Sequence, residues 1–308
     1  MKTFQSSWQS GDGIQIHFQG WEPDKKPKAV LALVHGHGEH SGRYAHVGAA
    51  FTKAGYALVA LDLRGHGKSG GPRGHTPSYQ ALMDDVSALL MQISARYPKL
   101  PVFLYGHSMG GNLVLNFALR RKPKVAGVIA TGPWLRLAFE PSTIQATLGR
   151  VMNQIAPGFT QSSHLETAAL SHDAEIVKAY GMDPLVHDKI SARLFIEVSD
   201  SGRWALEHAA EFPLPLLLMH GTADRLTSAE ASGKFAERAG KKVTWRAWDG
   251  WYHEIHNEVE KAEVFKVMIK WMDGHMKKGT SPVSSGGQKR LNMRKFHPGN
   301  KRGNTRKS

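Results

Sequence analysis

The most constraining feature of the chain is a serine set between two glycines, where an apolar run changes into a helical pattern. Residues 102–105 are apolar (VFLY), Gly106, Ser108 and Gly110 follow at a spacing of two, and a helical segment continues over 112–120. A Gly-x-Ser-x-Gly sequence between a strand and a helix is typical of a sharp turn that presents the serine hydroxyl to solvent. The glycines leave room where the strand and the helix pass closely. The pattern therefore predicts a strained serine that becomes a nucleophile if a base and an acid lie beside it.

Strand and helix patterns alternate along most of the chain. Two continuously apolar runs, 29–34 and 56–61, are typical of strands that are covered on both faces. The predicted strands lie at residues 3–9, 13–19, 29–34, 56–61, 102–105, 125–130, 214–219 and 243–247, and the predicted helices lie at 44–53, 79–97, 112–120, 229–239 and 258–276. Such alternation predicts an α/β fold, a central and mostly parallel sheet flanked by helices on both faces.

Residues 134–212 break this alternation, because they are largely helical and contain a one-sided apolar stripe. An insertion between two strands, on the side of the serine, predicts a helical cap over the site. The predicted division is a core of residues 1–133 and 213–278 and a cap of residues 134–212. The stripe either packs on the core, or it lines a substrate tunnel or touches a membrane surface. Its members are Ile144, Leu148, Val151, Met152 and Ile155.

Composition excludes several classes of protein. Of the 308 residues 41% are hydrophobic, which is typical of globular chains, and no run approaches the ~20 apolar residues that span a bilayer. Residues 1–12 contain no apolar segment of a secretory signal. The absence of cysteine excludes disulfides, thiolate metal sites and a cysteine nucleophile. We expect a cytoplasmic protein with peripheral contact at the membrane.

The net charge of +14 belongs largely to the last residues of the chain. Ten of the 40 Lys and Arg residues lie after residue 273, where there is no Asp or Glu, so the rest of the chain carries only +4. Residues 279–308 are predicted to be a disordered basic tail. Such a tail is either solvated or contacts nucleic acid or an anionic membrane by releasing counterions. Because Phe296 is its sole aromatic residue and no nucleic-acid-binding fold is recognisable, nucleic acid is not an expected partner.

A nucleophilic serine needs a base that an acid orients. The loops after the last two predicted strands supply both groups, Asp224 after 214–219 and His253 after 243–247. Two alternatives stay open: Asp224 is also a residue type that favours turns and helix caps, and Asp249 and His256 compete as acid and base. Serine, acid and base thus predict a catalytic triad.

An oxyanion hole requires two preorganised backbone N–H groups. One is expected from Met109, the residue after the serine. The other is expected from His37, in the glycine-rich turn that follows the strand at 29–34. The predicted oxyanion hole is therefore formed by His37 and Met109.

Two histidine groups also suggest a metal site. His35, His37 and His40 are clustered, and His253 and His256 resemble a zinc-binding helix. The zinc pattern, however, needs histidines four residues apart, and here they are three apart. We expect no metal and no cofactor.

Six segments in a fixed order resemble the monoacylglycerol lipase family of α/β-hydrolases, within the serine aminopeptidase-like hydrolases. The resemblance extends over about residues 10–275, and the six segments together are far more specific than the serine turn alone. The segments are 35–44 (HGHGEHSGRY), 62–69 (DLRGHGKS), 106–111 (GHSMGG), 180–185 (YGMDPL), 221–226 (GTADRL) and 252–258 (YHEIHNE).

The resemblance implies an α/β-hydrolase fold with a mobile cap and a serine hydrolase of carboxylic esters. The implied reaction cleaves monoacylglycerols to fatty acid and glycerol through an acyl-enzyme, and the implied partner is a lipid ester. The alternative is a lysophospholipase or a carboxylesterase of small esters with the same triad. By position, Glu39, Arg43, Tyr180 and His256 match the family's pocket for the glycerol head group. For Glu39 and Arg43, an ion pair that stabilises the loop is the other interpretation.

Overall fold

The computed structural model describes residues 1–139 and 143–276, so the predicted basic tail at 279–308 lies outside the described residues. The strands are β1 (Lys2–Gln9), β2 (Gln15–Glu22), β3 (Ala29–Val34), β4 (Tyr56–Leu61), β5 (Val102–His107), β6 (Gly127–Thr131), β7 (Thr160–Ser162), β8 (Lys189–Ser191), β9 (Leu216–Gly221) and β10 (Val243–Trp248). The α-helices are α1 (Ala45–Lys53), α2 (Tyr79–Arg96), α3 (Met109–Arg121), α4 (Thr143–Ile155), α5 (Ala174–Met182), α6 (Ala192–Glu207), α7 (Ala229–Ala239) and α8 (Lys261–His275).

Eight of these strands form one sheet in the order β1-β2-β4-β3-β5-β6-β9-β10. The β1–β2 and β2–β4 pairs are antiparallel, and all other neighbours are parallel. The carboxyl ends of the parallel strands therefore meet at one edge, where loops from distant parts of the chain come together. The predicted fold class, a mostly parallel sheet flanked by helices, is confirmed.

Apolar side chains of the central strands alternate between two core layers. In β3, Val30, Ala32 and Val34 join the layer that contains side chains of α2, α3, α6 and α7. Leu31 and Leu33 join the opposite layer, with side chains of α1 and α8. Both faces of the sheet are thus buried, which explains why β3 and β4 are continuously apolar.

The chain between β6 and β9 forms α4, β7, α5, β8 and α6, and β7 pairs with β8 in a separate two-stranded sheet. Helix α6 packs on α3, the helix that follows the serine turn. The Nδ2 of Asn112 donates to the Val198 carbonyl at 3.0 Å, and the Nδ2 of Asn116 donates to the Ser201 carbonyl at 3.1 Å. Part of this insertion is therefore fixed to the core. Within the described residues, no helix is both long and apolar enough to cross a membrane.

Candidate active site

Ser108 lies at the sharp turn between β5 and α3, with φ 54° and ψ −116°. This backbone conformation is strained for a residue with a side chain. A Cβ at Gly106 would lie 2.2 Å from the Gly110 carbonyl oxygen, and one at Gly110 would lie 2.0 Å from the Val34 carbonyl oxygen. Ser108 is 9% exposed rather than open to solvent, and its side chain borders a cavity.

Asp224 follows β9, and five hydrogen-bond donors hold its carboxylate. The backbone N–H groups of Leu226 and Thr227 donate to Oδ1 at 2.8 and 3.0 Å. The Thr227 hydroxyl and the Nε2 of His220 reach Oδ2 at 2.8 and 2.9 Å, and His253 is the fifth donor. Burial would raise the pKa of Asp224, but these partners, His253 first, hold it well below its usual 3.8. The group is therefore a fixed anion.

His253 follows β10, and its Nδ1 lies 2.6 Å from Oδ2 of Asp224. Burial would lower the pKa of His253, but the Asp224 carboxylate outweighs burial and raises it above the usual 6.5. Since Nδ1 carries the proton that Asp224 accepts, Nε2 of the neutral ring is free to act as a base. His253 and Ser108 border the same cavity.

The competing acid and base lie elsewhere. Asp249 accepts a hydrogen bond from the Thr222 hydroxyl at 3.1 Å in an exposed turn. His256 stacks on Tyr44, with ring centroids 4.9 Å apart, and burial lowers its pKa to about 3. Neither side chain occupies the position that Asp224 and His253 share.

The turn after β3 faces the start of α3. The Met109 N–H is among the first N–H groups of α3, which have no acceptor within a helix. Within the described residues, no acceptor pairs with the His37 N–H. The Glu39 carboxylate holds this turn, because it accepts from the Gly36 N–H at 2.7 Å. Two backbone donors are thus available beside the serine.

Glu39, Arg43 and Glu254 form a buried ion-pair network. The Arg43 guanidinium donates to Glu254 at 2.6 and 2.8 Å and to Glu39 at 2.7 Å. The guanidinium also lies over the Tyr180 ring, with the Arg43 Cζ 4.6 Å from the ring centroid. Burial would raise the pKa of Glu254, but Arg43 lowers it to about 2. Two carboxylates and one guanidinium leave a net negative charge at this place.

The predicted head-group residues divide into two pairs. Glu39 and Tyr180 border the cavity, together with Glu254. Arg43 and His256 lie behind them, with Arg43 in the ion pair that was the other interpretation of that residue. Sequence reasoning missed the part that Glu254 plays, and its position between His253 and Ile255 in a matched motif was the available signal.

One cavity of about 870 Å³ is bordered by these groups. Ser108, His253 and the polar group of Glu39, Glu254 and Tyr180 lie along its wall. Much of the rest of the wall is apolar and comes from the insertion. These apolar side chains include Trp134, Leu137, Phe139, Leu148, Met152, Phe159, Leu165, Leu170, Ile190 and Phe195.

Of the histidines that suggested a metal site, His35 and His40 have hydrogen-bond partners of their own. The ring nitrogens of His37 and His256 are buried without a hydrogen-bond partner among the described residues. In His35, Nδ1 lies 2.7 Å from the Gly36 carbonyl and Nε2 accepts from the Leu63 N–H at 2.9 Å. His40 pairs with Asp183 at 2.8 Å. The described residues contain one group with ligand atoms within 4.8 Å of one another, which consists of Glu39, His107 and Glu254. Since Arg43 already binds both of its carboxylates, this group fits a guanidinium rather than a metal ion.

Comparison with known proteins places this geometry in a family. The model of the family described as serine aminopeptidase, S33 (Hydrolase_4) matches residues 25–260. The chain belongs to the serine aminopeptidase S33 family. The predicted membership is confirmed, and with it the class of enzyme, a carboxylic ester hydrolase.

Proteins that are similar to the chain include two from bacteria and one with a solved structure. The chain is 34% identical to the monoacylglycerol lipase of Mycolicibacterium smegmatis over 86% of this chain and 95% of that protein. It is 32% identical to phospholipase YtpA of Bacillus subtilis over 83% of this chain and 99% of that protein. The crystal structure of Paleococcus ferrophilus monoacylglycerol lipase superposes with a TM-score of 0.77 at 33% identity, covering 89% of this chain and all of that one.

Proposed function

We propose that the chain hydrolyses monoacylglycerols to a free fatty acid and glycerol through an acyl-enzyme on Ser108. The Nε2 of His253 takes the hydroxyl proton of Ser108 as the oxygen attacks the ester carbonyl. Asp224 keeps the proton of the neutral ring on Nδ1 and stabilises the imidazolium that forms. The N–H groups of His37 and Met109 stabilise the oxyanion, and His253 then protonates the leaving glycerol. A water molecule releases the fatty acid by the same steps.

One observation carries the substrate assignment: the cavity combines many apolar lining residues with a polar group of Glu39, Glu254 and Tyr180, and Ser108 borders the same cavity. The apolar wall fits an acyl chain. Glu39, Glu254 and Tyr180 offer hydrogen-bond acceptors and a hydroxyl, which suit the glycerol hydroxyls. The similarity to two monoacylglycerol lipases supports the same substrate.

A lysophospholipid is the second candidate, because phospholipase YtpA is among the similar proteins. Its phosphodiester would lie beside Glu39 and Glu254, where Arg43 is already bonded to both carboxylates. A phosphate in this place is unfavourable, because like charges repel strongly where water is excluded. We therefore favour the neutral glycerol head group over an anionic one.

Turnover of matched substrates tests the assignment. The enzyme is given 1-monoacylglycerol, lysophosphatidylcholine and a small p-nitrophenyl ester, with the first two of equal acyl length. We expect the wild type to have its highest kcat/KM with the monoacylglycerol. The Ser108→Ala variant should hydrolyse none of the three substrates. A preference for the lysophospholipid would overturn the substrate assignment, and activity retained by Ser108→Ala would overturn the mechanism.

We further propose that residues 134–212 act as a cap on a core of residues 1–133 and 213–278, and that the cap touches membrane surfaces briefly. The insertion carries exposed apolar side chains, among them Ile155, which is 72% exposed. Leu148 and Phe159 are also exposed, and both border the cavity. A lipid could thus pass from the membrane surface into the cavity without exposing its chain to water.

Flotation with phosphatidylcholine vesicles tests this contact. The double variant Val151→Ser with Ile155→Ser is expected to float less than the wild type. Its matched control is Met91→Ser with Val259→Ser, which changes two exposed apolar side chains on the core. Equal flotation of both variants and the wild type would contradict membrane contact through the cap.

A further inference from the structure

His187 lies in the insertion, two residues before β8, and it bonds to the core at two points. Its backbone N–H donates to the Gly38 carbonyl at 2.9 Å. Its ring Nε2 donates to the Gly65 carbonyl at 3.0 Å, since a carbonyl can only accept. One residue of the insertion therefore joins the turn after β3 to the loop after β4.

The contact with Gly38 is backbone against backbone. Gly38 has φ +77°, and a Cβ at this position would lie 2.6 Å from the His187 carbonyl oxygen. The two segments can approach this closely only because residue 38 has no side chain. Since Gly38 directly follows His37, the position of His187 limits where the proposed oxyanion donor can lie.

The ring of His187 also touches the ring of His37. Their centroids are 5.7 Å apart with an edge-on orientation, and His66 packs against both rings at 4.7 and 5.5 Å. Burial lowers the pKa of His187, and burial with the neighbouring His187 and His35 lowers the pKa of His37 to about 3. Neutral rings can pack in this way without repulsion. His187 thus holds His37 in two ways: its ring packs on the His37 ring, and its backbone N–H bonds to Gly38, the residue after His37.

On its other side, His187 is joined to the wall of the cavity. The Asp188 carbonyl accepts from the Ser163 N–H at 2.6 Å, and β8 pairs with β7 immediately afterwards. Ser163 and Ile190 both border the cavity. A shift of the β7–β8 pair would therefore move His187 and, with it, the turn that carries His37.

We propose that His187 is a positioning residue that couples the docking of the insertion to the geometry of the oxyanion hole. It touches neither the nucleophile nor the reacting carbonyl, and it acts through His37 and Gly38. The inference rests on the proposed function, because it takes the His37 N–H as an oxyanion donor. It predicts that substrate binding in the cavity and stabilisation of the oxyanion are linked through one residue of the insertion.

The test compares His187→Ala with His187→Gln at pH 8, using p-nitrophenyl butyrate as substrate. Alanine removes the ring and its N–H, whereas the glutamine side-chain amide restores a donor of similar reach. Loss of one oxyanion donor costs about 100- to 1000-fold in kcat, so a displaced donor should cost about 10-fold or more. We expect His187→Ala to lower kcat by this amount with KM changed less than about threefold, and His187→Gln to recover most of it. His208→Ala, which removes a histidine at the end of α6, is the control and should match the wild type.

A boronic acid that forms a tetrahedral adduct with Ser108 separates positioning from simple loss of structure. His187→Ala should weaken the boronate in parallel with kcat/KM, while its affinity for a fatty acid and its melting temperature stay near those of His187→Gln. A His187→Ala enzyme with wild-type kcat and boronate affinity would overturn the inference. So would an equal loss of kcat in both His187 variants. If the wild type itself neither hydrolyses the ester nor binds the boronate, the proposed function fails instead.

Discussion

Removal of the Arg43 guanidinium is expected to destabilise the fold strongly. The side chains of Glu39 and Glu254 are each 2% exposed, and that of Arg43 is 9% exposed. Arg43→Met keeps much of the side-chain volume but leaves two buried carboxylates without a counterion. Breaking a buried ion pair from one side costs about 3–5 kcal/mol, a large share of the ~5–15 kcal/mol that stabilises most domains.

The stability that the fold loses in Arg43→Met should also depend on pH in a defined direction. In the wild type the lowered pKa of Glu254 stabilises the fold above its ordinary pKa of 4.5, and this stability is lost as pH falls towards about 2. In Arg43→Met, burial without the guanidinium raises the pKa of Glu254 above 4.5. The folded variant then binds a proton that the unfolded chain releases, so its stability falls as pH rises. The difference between wild type and variant should therefore grow from about pH 4 to pH 7.

Urea unfolding at a series of pH values measures this difference directly. Arg121→Met is the matched control, because Arg121 pairs with Asp84 on the surface and such pairs contribute about 0–1 kcal/mol. Adding Glu254→Gln to Arg43→Met should recover part of the lost stability, because it removes one of the unpaired charges. The reasoning would be refuted if Arg43→Met cost no more than Arg121→Met, or if its cost were the same at pH 4 and pH 7.

Three further predictions concern catalysis. Asp224→Asn should lower kcat by about 10⁴-fold while the fold persists, because His253 loses its tautomer control; a circular dichroism spectrum and an ester assay check both parts. Thr227→Val removes the hydroxyl donor to Asp224 and should lower kcat about 10-fold, since a hydrogen bond to a charged group is worth about 1.5–3 kcal/mol; wild-type kcat would argue against that contribution. The pH profile of kcat/KM should fall on the acid side through a pKa above 6.5, because protonated His253 is no base; a midpoint well below 6.5 would contradict the assignment of the base.

Elements whose sequence signals are local could be predicted from the sequence alone. Both faces of β3 and β4 are covered, so their apolar runs coincide with the observed strands. The serine turn was equally readable, because Gly106 and Gly110 are required by close backbone contacts. Asp224 and His253 follow the strands that were predicted to precede them.

Other features depend on contacts between distant parts of the chain. Strand β2 extends to Glu22, beyond the predicted end at residue 19, because Phe18–Trp21 pair with β4. Strands β7 and β8 have three residues each, too few for a periodic pattern. Strand β10 was predicted as a strand, but its position at the edge of the sheet, where most of its side chains are exposed, follows only from the order of the strands.

The candidate site shows the same division. The ion pair between Arg43 and Glu254 joins residues 211 positions apart, so no spacing rule predicts it. The contact between His187 and Gly38 depends on how the insertion packs onto the turn after β3. Chemistry carried by motifs was therefore predictable, whereas the groups that hold those motifs in place were not.

The central claim is that turnover proceeds through an acyl group on Ser108. Rapid acid quench during turnover of a 1-monoacylglycerol, followed by peptide mass spectrometry, tests it most directly. We expect the peptide that contains Ser108 to gain the mass of the acyl group, with no such adduct in Ser108→Ala and no hydrolysis by that variant. Hydrolysis that continues in Ser108→Ala, or an acyl group found on another residue, would contradict the claim.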